Sequence, residues 1–141
     1  MKHSSFTRTE APGATLIIRL MVGAVFVSEG IQKFLFPAEV GAGRFAKIGL
    51  PSPELLASFV GGVEIGCGVL LLVGFLTRLA TLPLLAVMAS AIITTKLPIL
   101  QQSGFWKMAH EARTDFAMTM GLLFLFIVGA GKVSYDARRS R

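Results

Sequence analysis

Apolar residues gather in four long blocks along the chain, parted by short stretches rich in Gly, Pro and charge. The blocks run from about Ala14 to Leu35, Glu54 to Leu76, Leu79 to Leu97, and 112–130, the last turning apolar at Asp115. A helix that crosses a bilayer needs about 20 residues, at about 1.5 Å each over about 30 Å of hydrocarbon. The longest uncharged runs are Leu79–Thr95 and Phe116–Gly131; the first two blocks admit ionisable residues. A soluble helical bundle would need a polar stripe on each helix. The third and fourth blocks have almost none. The pattern therefore predicts an all-α, integral membrane four-helix bundle over residues 14–131. Its helices fall at about 14–35, 54–76, 79–97 and 112–130. A tail at 1–13 precedes it and a basic tail at 132–141 follows.

Local signals mark the helix ends. Ser52-Pro53-Glu54 reads as an N-cap, a proline at the first helical position and an acid in the first turn. Gly74 and Thr77-Arg78 bound a tight turn, and Pro98 closes the third helix. The stretch Leu97–Thr114, with Trp106, suits an interfacial loop, and Pro37–Pro51 forms a second loop on the same side. Lys2 and Arg8 could open a signal peptide. However, Arg19 interrupts the apolar run and no small-residue cleavage site follows, so the first block stays as a helix.

Composition supports lipid as the solvent. Hydrophobic residues make up 53% and charged residues 16%, against about 25% charged in soluble domains. The net charge of +6 is not concentrated on a polar face, so nucleic acid is not the partner. One cysteine, Cys67, excludes an intrachain disulfide, a CxxC pair and a cysteine-based metal site. With His3 and His110 as its histidines, the chain has no evident metal site and cannot hold a bis-histidine haem in the membrane.

Four crossings place both termini on one side. That side carries Lys2, Arg8, Arg78, Lys132, Arg138, Arg139 and Arg141; the other carries Arg44, Lys47, Lys107 and Arg113, with Lys33 and Lys96 at helix ends. The positive-inside rule then favours cytoplasmic termini.

Charge at membrane depth costs about 2.5–3.5 kcal/mol per residue and persists where it is paired or functional. Arg19, Glu29, Lys33, Glu64, Arg78 and Asp115 are therefore the candidate intramembrane polar site. Arg19, Gly23, Phe26, Gly30 and Lys33 share one helix face, with Glu29 at its edge. Glu29 and Lys33 are spaced i,i+4 in the favourable order, which a local ion pair would explain. Glu64 lies mid-helix beside Gly61 and Gly68, whose lack of side chains admits another backbone. Unpaired there it would be protonated or would need a cation, and Arg19 and Lys33 are the candidate partners. Its alternatives are a structural interhelix pair or a site that handles protons or binds a headgroup or quinone carbonyl. Arg78 reads most simply as a cytoplasmic anchor. Asp115 and Glu111 either cap the fourth helix or form a rim with His110, Lys107 and Lys96. Gly41-Ala42-Gly43-Arg44-Phe45-Ala46 matches GxGxxA, but no strand pattern precedes it and the dinucleotide reading fails.

Arg19-Leu20-Met21-Val22-Gly23, Phe26, Gly30 and Lys33-Phe34 open a pattern that resembles the DoxX family of small bacterial membrane proteins. Phe45 through Pro53, Glu64 through Arg78 with its Thr77-Arg78 turn, and Gly131 through Asp136 continue it in order. Lys96–Phe116 matches least well. The resemblance implies a four-helix bundle in the bacterial inner membrane and a link to redox work. Some relatives are membrane subunits of thiosulfate:quinone oxidoreductases, and others are partners of enzymes that detoxify sulfur species or superoxide.

Three functions follow as expectations. The first is a subunit tied to quinone and sulfur redox metabolism or oxidative-stress defence, without a recognisable redox centre of its own. Quinone would be its cofactor and a soluble redox enzyme its partner, with Glu64, Arg19 and Lys33 lining the site. The second is a non-catalytic adaptor that holds a soluble enzyme at the membrane. The third is a carrier of a small molecule or lipid, which in so short a chain would require a homo-oligomer.

Overall fold

Thr15–Leu35 form the first long helix, α1, continuous and mostly apolar, with charges at Arg19, Glu29 and Lys33. A computed structural model describes residues 12–139 of the chain. The expected tail at 1–13 thus falls almost wholly outside the described residues. Two short helices follow, α2 (Pro37–Val40) and α3 (Ala42–Lys47), where a loop was expected. The long helix α4 runs Pro53–Val73. Pro53 sits at its first turn as predicted, but Ser52 makes no side-chain cap and adopts φ 44°. Gly74, at φ 75°, ends α4 in the left-handed conformation that glycine adopts freely.

The third block differs from its prediction. Helix α5 (Thr77–Ala91) does not stop at Leu97. It widens into a π-helical turn, Ile92–Lys96, and continues as α6 (Leu97–Ser103). A proline lacks an N–H and its ring crowds the carbonyl four residues back, here Thr94. Slipping to wider hydrogen bonds relieves that clash and keeps the rod continuous. The Thr94 hydroxyl donates to the Ser90 carbonyl, at 2.7 Å, and the Thr95 hydroxyl to that of Ala91. The expected interfacial loop is instead α6 followed by α7 (Phe105–Glu111), which leaves Trp106 82% exposed. Helix α8 spans Arg113–Val128, and α9 spans Tyr135–Arg139. No strand occurs among the described residues, so the GxGxxA segment, which opens α3 from its N-cap Gly41, has no βαβ unit around it.

The long helices pack in a ring, α1 against α4, α4 against α5, α5 against α8, and α8 back against α1. Among the described residues, three helical runs are long and apolar enough to cross a membrane: Thr15–Leu35, Pro53–Val73 and Thr77–Ser103. Helix α8, with 16 residues, reaches about 24 Å and is shorter than the hydrocarbon slab. Val22, Phe26, Leu71, Leu84, Met88, Met118, Leu122 and Leu125 fill the centre.

The surface decides the solvent. Ile17, Leu55, Phe59, Phe116 and Ile127 point outward, while Arg19, Glu64 and Asp136 are buried. Water would drive the reverse arrangement. Lipid tolerates apolar residues outside and sends charge inward, where partners satisfy it. The chain is a membrane protein.

Helices α1 and α4 make the closest approach. Gly30 lies against Gly61, and Gly23 against Gly68; a Cβ on Gly30 would fall 2.7 Å from the Gly61 carbonyl oxygen. In each pair the residue numbers sum to the same value, so the two contacts fix one antiparallel register. Association in lipid gains little from apolar burial and relies on such close backbone packing.

Candidate functional site

That register determines where each charged residue meets its partner. The Lys33 ammonium donates to a Glu64 carboxylate oxygen at 3.0 Å, and both side chains are almost fully enclosed. Glu64 is about 16 Å from the start of α4, which is close to its middle. Lys33 is near the end of α1. Helical side chains lean toward their own N-terminus, and α1 and α4 run antiparallel, so the two reach toward each other along the seam. Glu29, offered by spacing as the partner of Lys33, is exposed. It stays within Coulombic range of Glu64.

Arg19 does not join this pair. Its guanidinium donates from Nε to the Leu71 carbonyl at 2.8 Å, from Nη2 to that of Leu72 at 2.8 Å, and from Nη1 to that of Ala130 at 3.0 Å. A further Nη1 bond goes to the Val133 carbonyl. Leu71 is seven residues beyond Glu64, about 10 Å along the helix. The planar fork thus satisfies carbonyls left over at the C-terminal end of α4 and ties them to the segment after α8.

Asp136 completes that end, and the sequence alone gave it no role beyond the family-like terminal segment. Its carboxylate accepts from the Leu76 and Thr77 amides at 2.9 and 3.1 Å, and its own amide donates to the Gly74 carbonyl at 2.9 Å. A signal was available. Helix α5 starts after Leu76, which has no side-chain oxygen to cap it, so an acceptor had to come from elsewhere. Residues 132–139, expected as a basic tail, therefore fold back onto the bundle through a buried aspartate. Arg78 donates to the Ile127 carbonyl at 3.0 Å and links α5 to α8. Asp115 pairs with Lys96 at 3.1 Å across the helices, and Lys107 with Glu111 at 3.5 Å, so the expected rim resolves into two pairs.

The six candidates thus divide among three places. Lys33 and Glu64, with Glu29 nearby, sit inside the α1–α4 seam. Arg19 and Arg78 brace the terminus-bearing end. Asp115 belongs to the opposite end. Cys67 is half-buried against the core. No cluster of His, Cys, Asp and Glu suited to a metal occurs among the described residues.

The DoxX family pattern matches residues 14–97, which include the glycine seam and both members of the buried ion pair. The chain belongs to the DoxX family. It is 51% identical over 138 residues to the uncharacterized membrane protein Rv3486 of Mycobacterium tuberculosis, covering 94% of this chain and 85% of that one. It is 35% identical over 122 residues to a Bacillus subtilis protein named "Putative oxidoreductase CatD", covering 86% of this chain and 84% of that one. No solved structure matches. The DoxX match stops at Leu97, so Asp115 and Asp136 lie beyond it.

Proposed function

We propose that this DoxX protein is the inner-membrane subunit of a quinone-linked redox system, and that the Lys33–Glu64 pair serves the quinone. The observation that carries this reading is a mutual ion pair, 3.0 Å long, enclosed halfway along a membrane helix. Reduction of a quinone to its quinol takes two electrons and two protons. An ammonium can donate a hydrogen bond to a quinone carbonyl, and a carboxylate can relay protons to it. Electrons would arrive from a soluble partner that carries the redox centre. The name of the Bacillus subtilis relative supports redox work. By sequence, seven basic residues fall on the side of the termini against four to six on the other, which favours cytoplasmic termini. Arg19, held by backbone carbonyls, has a structural part in this scheme.

The test is donor-dependent quinone reduction in native membranes, after mass spectrometry of what co-purifies in mild detergent has identified the donor enzyme. Glu64→Gln is expected to lower turnover at least tenfold while the bundle and its partner still co-purify. Full turnover in an assembled Glu64→Gln protein would refute it.

The adaptor reading draws on the same pair, since Lys33 and Glu64 satisfy each other. It requires that a Lys33→Met/Glu64→Met protein still hold the soluble enzyme with its activity intact.

A further inference from the structure

At the terminus-bearing end, away from the Lys33–Glu64 pair, a cavity of about 510 Å³ opens between α1, the end of α4 and the returning chain. Binding cavities for small ligands span about 300–1,000 Å³. Lys132 and Arg138 line it, the Arg19 guanidinium forms part of its wall, and Leu72 and Val73 make its apolar side. Lys132 and Arg138 are exposed and make no ion pair among the described residues. Asp136, between the lining residues Tyr135 and Arg138 in the chain, is buried, and its carboxylate accepts from the amides of Leu76 and Thr77. Arg19 is likewise committed, so its charge adds to the field while its position stays fixed. Two cations without acidic partners among the described residues, held before a third, form a concave positive surface at the depth where α4 leaves the apolar layer. Val73, 52% exposed, continues that surface onto the lipid-facing side.

We infer that this cavity binds a phosphate-bearing anion, with Lys132 and Arg138 as its charged contacts and Val73 beside any attached acyl chain. The two sources of such an anion are a lipid headgroup and free phosphate. Protein in a neutral detergent is titrated with phosphatidylglycerol, phosphatidylcholine or inorganic phosphate, and binding is read by native mass spectrometry and by thermal shift. Phosphatidylglycerol is expected to bind at one copy per chain. Lys132→Glu/Arg138→Glu should weaken it by about 30-fold, the product of two surface cation contacts. The same charge change at the opposite end, Arg44→Glu/Lys47→Glu, should leave binding within about twofold. These are exposed side chains, and the thermal transition without added anion reports whether each variant folds. Saturation by inorganic phosphate with the same variant dependence would support the site and assign it to a free anion. Equal binding of phosphatidylcholine, unchanged binding by the Lys132→Glu/Arg138→Glu protein, or equal loss in the control would overturn the proposal.

Discussion

Replacing Lys33 with methionine separates the energetics of the buried pair from its chemistry. Methionine keeps the length of the stem and removes the charge. At the observed 3.0 Å, with an effective dielectric of about 20, the gross attraction is about 5.5 kcal/mol. Most of it offsets the desolvation of both groups. What a single substitution reveals is the cost of leaving the Glu64 carboxylate enclosed without its cation. In soluble proteins that cost is about 3–5 kcal/mol, whereas interhelical polar contacts in membranes have measured about 0.6–2 kcal/mol. For side chains as enclosed as these, Lys33→Met is expected to destabilise the bundle by about 2–4 kcal/mol. Glu64→Met should cost about the same, and the double variant should return to within about 1 kcal/mol of the parent, because no isolated charge remains. Equilibrium unfolding in mixed SDS–detergent micelles of parent, both single variants and the double closes the cycle. Additive losses would refute the argument, since additivity means that the two groups do not interact. A double variant that regains stability but not quinone turnover would separate the redox role from the structural one.

Three further outcomes follow from the same geometry. Gly30→Ala places a Cβ 2.7 Å from both the Gly61 oxygen and the Ile65 Cγ1, so it should cost about 1–3 kcal/mol in the same unfolding assay; Gly62→Ala, with nothing within 4 Å, should be neutral or slightly stabilising. Asp136→Ala strips the cap from α5, with an expected loss of about 1–2 kcal/mol and faster hydrogen exchange at Leu76 and Thr77. Arg19→Lys keeps the charge but not the planar fork that meets several carbonyls, so thermal stability should fall nearly as far as in Arg19→Met; full retention would show that charge alone suffices.

The sequence by itself determined the solvent and the elements. Whether a run of residues is stable in lipid depends on its own length and composition, so the positions of α1, α4, α5 and α8 could be read locally. The apolar blocks likewise sufficed to reject a nucleotide fold, and the order of Arg19, Gly30, Glu64 and Thr77-Arg78 sufficed to suggest the family. The end of the third helix was harder to read. Pro98 has two physical solutions, a stop or a widened turn, and the chain takes the second.

Only the tertiary structure decided the pairing of charges. A cation has no preferred partner along the chain, so Lys33 had Glu29 on its own helix and Glu64 on another, and Glu64 had Arg19 as a second claimant. The glycine contacts between α1 and α4 set a register that brings Lys33 to Glu64 and carries Arg19 past it to the carbonyls of Leu71 and Leu72. Asp136 was hidden for the same reason. Its partners are amides 59 and 60 residues away; the uncapped start of α5 after Leu76 signals that an acceptor is needed, but only the fold decides which residue supplies it.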